Sequence, residues 1–142
     1  MQTRETKKLA TFLRPALLCA LAISFAGCGT ATLNKSGSDA RIEDLRAFHL
    51  AFVDQFARAN KRFDAAAFDA KASEGNARFA RAIAEEKFTA RKPVLRDLAG
   101  QFKADVEHLR SKASRGKITP ALASEMNKDI NSNYDRAVGK KT

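Results

Sequence analysis

Near the middle of the chain, Leu95, Leu98, Phe102, Val106 and Leu109 recur at spacings of three and four residues. Such spacing lines one face of an α-helix and cannot line one face of a strand, whose side chains alternate with period two. The same rhythm returns in Leu122, Met126, Ile130, Tyr134 and Val138, and in Ile42, Leu45, His49, Phe52, Val53 and Phe56. A fourth stripe, richer in small residues, runs through Phe68, Ala72, Gly75, Phe79 and Ile83. Alanine is abundant, glycine is scarce after residue 37, and no alternating segment interrupts the pattern. Helix is the expected state throughout.

The punctuation between the stripes fits this reading. Ser38 or Asp39 can cap a first helix over about Asp39 to Arg58. Carrying that helix on without a break would turn Phe79 and Ile83 away from the core, which predicts a turn near Asn60 to Phe63. Asp64 then caps the second helix, with Phe63 and Phe68 at the two positions of a hydrophobic staple. Pro93 marks a kink or a new first turn. The run Ser114-Arg115-Gly116-Lys117 closes the third helix, and Thr119-Pro120 opens the fourth. Apolar faces of this kind bury themselves against one another. The expectation is an all-α chain forming a small up-and-down bundle of three to four helices. An elongated helical hairpin is the alternative. About 105 residues, 38 to 142, make one domain with a modest core of Phe, Ala, Leu and Ile.

The first 30 residues read differently. Arg4, Lys7, Lys8 and Arg14 precede an uncharged run from Pro15 to Ala26. That run is too short to span a bilayer, which takes about 20 residues. It has the length of the hydrophobic region of a signal peptide. The small pair Ala26-Gly27 stands directly before Cys28, with Phe25 where leucine is usual. The segment Phe25-Ala26-Gly27-Cys28 resembles the lipobox of the bacterial lipoprotein precursors. The resemblance implies a cleaved signal peptide over residues 1–27 and a diacylglycerol and an N-acyl chain on Cys28. It also implies a site in the cell envelope, and behind the lipidated Cys28 the run Gly-Thr-Ala-Thr-Leu-Asn-Lys-Ser-Gly completes a flexible tether over residues 28–37. Gly29 in place of aspartate after the cysteine implies the outer membrane, facing the periplasm.

Each buried methylene contributes about 0.8 kcal/mol, so two or three acyl chains hold a protein where one gives only reversible attachment. The extended tether reaches at most about 30 Å. With Cys19 removed and Cys28 modified, a mature chain of this kind keeps no thiol for a disulfide or a thiolate metal site.

Catalytic and metal chemistry find little material. His49 lies in the middle of an apolar face and reads as a core histidine, with a ligand or general base as the alternative. His108 and the acidic pair Glu85-Glu86 read as solvated. No His-x-x-x-His pair, nucleophile elbow or phosphate-cradling loop is present, so neither a metal nor another cofactor is expected.

Charge says more. Residues 87 to 117 carry nine basic and three acidic side chains. Lys92, Arg96, Lys103 and Arg110 fall along one flank of the third helix. Such a flank suits an anionic partner: a lipid headgroup or another envelope protein. Nucleic acid is not expected for an exported protein. Solvated cations covering the core edge are the plainer reading. Phe48 and Leu50, off the centre of the first stripe, would serve either edge packing or self-association into a homo-oligomer.

The sequence therefore suggests a non-catalytic lipoprotein that binds or scaffolds another envelope component. Its rivals are a periplasmic inhibitor or immunity-type lipoprotein, and a ligand carrier or enzyme using His49.

Overall fold

A computed structural model describes residues 29–57 and 62–140. The signal segment with Cys28, the residues from Arg58 to Lys61, and the last two residues lie outside the described part. Four helices follow one another: α1 (Gly29–Phe56), α2 (Ala65–Glu85), α3 (Arg91–Ser114) and α4 (Pro120–Ala137). They form an all-α, up-and-down bundle. The tightest pairings are α1 with α4 and α2 with α3, while α3 and α4 touch more sparingly.

The boundaries follow the local chemistry. Asp64 Oδ1 accepts from the Ala67 amide at 3.0 Å and starts α2, and the Phe63 and Phe68 rings lie 5.1 Å apart as a staple requires. Thr119 Oγ1 accepts from the Leu122 amide at 3.2 Å, with Pro120 in the first turn of α4. Pro93 falls in the first turn of α3 and starts the helix rather than kinking it. Both α3 and α4 end in a left-handed glycine, Gly116 at φ 63° and Gly139 at φ 77°. In each, the two amides after the cap turn back onto carbonyls of the last turn, the geometry glycine permits without steric cost.

α1 is helical backbone from Gly29 onward, ten residues before the start at about Asp39 that the sequence suggests. Helix propagation is the reason. Once α1 is nucleated by its packed portion, each added residue gains one hydrogen bond, and no proline stands between Gly29 and Asp39 to stop it. Glu86, expected in solvent, is buried, as described below.

The core is aromatic. Phe102 of α3 is fully buried, with ring centroids of Phe48, His49, Phe52 and Phe79 within 6.0 Å. The whole α3 stripe is buried, as are Phe68, Ala72, Gly75 and Phe79 of α2 and Met126, Ile130 and Tyr134 of α4. Ile83, Leu122 and Val138 sit at the margins, half-buried.

Gly75 lets Phe102 and Phe48 approach α2. A Cβ added there would stand 2.3 Å from Phe102 Cζ and 2.7 Å from Phe48 Cε1. Gly75→Ala is therefore expected to destabilise the fold by about 1–3 kcal/mol through overpacking, although alanine is the better helix former. Gly100 of α3 is exposed and has open space around it. There Gly100→Ala should stabilise by up to about 1 kcal/mol. Urea midpoints moving in the same direction for both variants would contradict this assignment.

Candidate functional site

The flank of α3 is built by the spacing of its cations. Between Lys92 and Arg110 the helix rises about 27 Å, and the aligned side chains border the apolar face. Arg96, Lys103 and Arg110 are exposed and Lys92 is half-buried. The structure divides them. Arg110 Nη2 donates to Asp69 Oδ1 of α2 at 2.5 Å, and its guanidinium lies 5.1 Å from the centre of the Phe68 ring. It is committed within the fold. Lys92, Arg96 and Lys103 have no described carboxylate oxygen within 4.0 Å. Glu107, one turn beyond Lys103, does not pair with it. The predicted stripe is thus three free cations followed by one that braces α2.

The end of the bundle where α1 enters carries a cluster that sequence reasoning missed. Glu86 is only 3% exposed. Ser38 Oγ donates to its Oε2 at 2.7 Å, the Phe88 amide donates to Oε1 at 2.9 Å, and Arg41 Nη1 approaches Oε2 at 3.5 Å. Burial pushes this carboxyl up, but the bonds from Ser38 and Phe88, helped by Arg41, outweigh it and hold its pKa below the ordinary value. Beside it, Arg91 Nη1 lies 2.5 Å from Asp39 Oδ1. Further along α1, Lys140 Nζ donates to Glu43 Oε1 at 3.0 Å, and Arg46 donates to Asp135 Oδ1 at 2.6 Å. The hydrogen bond from Arg46 lowers the Asp135 pKa. The base of α1 is therefore gripped by the α2–α3 turn and by α4. A signal for Glu86 was present: it lies seven residues after Phe79, in step with the apolar stripe of α2 and just past its end, whereas Glu85 points to solvent.

His49 is fully enclosed between α1, α3 and α4. The Phe102 ring meets it edge-on at 5.0 Å and the Tyr134 ring lies at 6.1 Å. Its Nε2 is 3.0 Å from Asp105 Oδ2, but poorly aligned, so neither ring nitrogen completes a hydrogen bond. The Tyr134 hydroxyl is likewise buried and unpartnered, and burial pushes its pKa well above the usual phenol value. Because the imidazole has no exposure, it meets a ligand only if the bundle opens. His108 is exposed.

Phe48 is only 7% exposed. Lys71 Nζ and the Arg78 guanidinium cover its ring at 5.1 and 4.7 Å, and both are held by Glu74. The bond from Lys71, then that from Arg78, lowers the Glu74 pKa. Of the expected apolar pair, Leu50 is the more open, half-buried and packed against the core.

A cleft of about 380 Å³ opens where α3 and α4 diverge, lined by Val94, Asp97, Leu98, Gln101, Asn133, Arg136 and Ala137. Among the described residues, no cluster of His, Cys, Asp and Glu could hold a metal ion. None of the described helices is long and apolar enough to cross a membrane.

Comparison with protein families, curated proteins and solved structures finds no match for this chain.

Proposed function

We propose that this protein is a lipid-anchored envelope lipoprotein whose helical bundle is a non-catalytic binding module for an anionic envelope component. The observation that carries the anchor is Cys28, directly behind the small pair Ala26-Gly27 at the end of an uncharged run. The outer membrane, facing the periplasm, is the proposed site, on the strength of Gly29 after the cysteine.

The binding role is supported by Lys92, Arg96 and Lys103, which line one flank of α3 and have no described ion-pair partner. Free, aligned cations attract an anionic surface without cost to the fold, because no internal bond must break first.

The test is Cys28→Ala in the native host. The native protein should carry two or three acyl chains by intact mass and stay with the membrane fraction at high salt. The variant should lose that mass and either move to the soluble periplasm or retain its uncleaved leader. One chain gives an association constant of only about 10⁴ M⁻¹, so loss of all chains should be seen as near-complete release or as the unprocessed form. A native protein with a bare thiol ends the proposal.

A further inference from the structure

The free cations have a positional explanation, and it points to the partner. α2 and α3 run antiparallel, and Arg110 meets Asp69 across the seam. Moving seven residues along each helix from that pair brings Lys103 level with Asn76. Seven more bring Arg96 level with Ile83. The ladder has three rungs, and α2 supplies a carboxylate to one of them. The other two rungs, with Lys92 beyond them, present positive charge with nothing of opposite sign in register.

The direction of this flank argues against the leaflet as partner. α1 is helical from Gly29, immediately after Cys28. Asp39 of α1 is level with Arg91 of α3 through their ion pair. At 1.5 Å per residue, Gly29 lies about 15 Å below that level, Arg96 about 23 Å above Gly29, and Lys103 about 33 Å above it. Leaflet charge is screened over about 8 Å at physiological ionic strength. Laying the bundle on its α3 side does not help, since it lifts α1 and its anchor off the surface by at least one interhelical distance, about 10 Å. A helical stem offers no slack to make this up.

We infer that the α3 flank docks an acidic segment of another envelope protein, with carboxylates spaced to meet Arg96 and Lys103, and that it does so clear of the lipid surface. This rests on the lipoprotein reading for its orientation, but not for its chemistry.

The experiment uses the mature protein, extracted from membranes and placed in phosphatidylcholine nanodiscs. The probe is a helical peptide with glutamates at seven-residue spacing; a scrambled peptide of equal composition is the control. The spaced peptide should bind more tightly than the scrambled one, and more weakly as salt rises. Arg96→Glu combined with Lys103→Glu should weaken binding about tenfold or more, at up to about 1 kcal/mol for each exposed pair lost and a further cost for the new repulsions. Asn76→Asp, which gives Lys103 a carboxylate within the fold, should weaken it too. Melting curves for each variant separate lost binding from lost structure. Adding phosphatidylglycerol to the discs should leave binding unchanged. Displacement of the peptide by that lipid, or equal binding by the double charge-reversal variant, overturns the inference. Failure of the anchor reads out separately, because a chain without acyl groups would fail to enter discs and still bind the peptide in solution.

Discussion

Truncating Phe102 to alanine is expected to remove about 3–5 kcal/mol of stability, the cost of deleting a fully buried aromatic ring. The ring is unexposed and its neighbours come from two other helices: Phe48, His49 and Phe52 from α1, Phe79 from α2. No one of them can relax into the space without leaving another. A domain of this size has about 5–15 kcal/mol in total, so this single change takes a large share. The melting temperature should fall on the order of 20 °C. A loss below about 1 kcal/mol in urea unfolding would show that the aromatic cluster is loosely packed and collapses around the gap.

The second large effect concerns Glu86. Glu86→Ala should cost about 2–3 kcal/mol, because it leaves the Ser38 hydroxyl and the Phe88 amide at a buried position without their acceptor. The pH dependence has a definite sign. The folded carboxyl titrates below its ordinary value of 4.5, so the folded state favours the ionised form. The stability it contributes is fully present well above pH 4.5 and is lost as pH falls through the lowered folded value. Native protein should therefore lose stability more steeply than Glu86→Ala on acidification below pH 4.5. Parallel stability curves for the two proteins across that range would count against the buried bond network. Asp135, lowered by Arg46, acts in the same direction in both proteins and drops out of the comparison.

Much of the fold was legible in the residues. The five-residue stripe of α3 is buried throughout, and the caps at Asp64 and Thr119 form as their spacing implies, because both depend on local geometry that sequence encodes directly. What was not legible depends on neighbours. Glu86 was read as one of an adjacent acidic pair in solvent, yet its burial depends on Ser38, 48 residues away. Arg110 was read as part of a uniform basic flank, but Asp69 claims it from another helix. The first turns of α1 are made largely of small and polar residues, which are weak helix formers alone but continue a helix already anchored by packing. In the candidate surface, the positions of Lys92, Arg96 and Lys103 follow from α3 alone. That they are unpaired follows only from which residues α2 sets beside them.

The trio of enclosed His49 and Tyr134 and half-buried Asp105 draws one polar residue from each of α1, α3 and α4. Helices so alike in their phenylalanine, leucine and alanine faces could wind around each other in either handedness with similar burial of apolar area. Only one handedness gathers the three polar groups in a single spot. The mirror-image arrangement would part the His49 imidazole from the Asp105 carboxylate, 3.0 Å away here. Groups that add little to the strength of this bundle thereby discriminate between its two topologies.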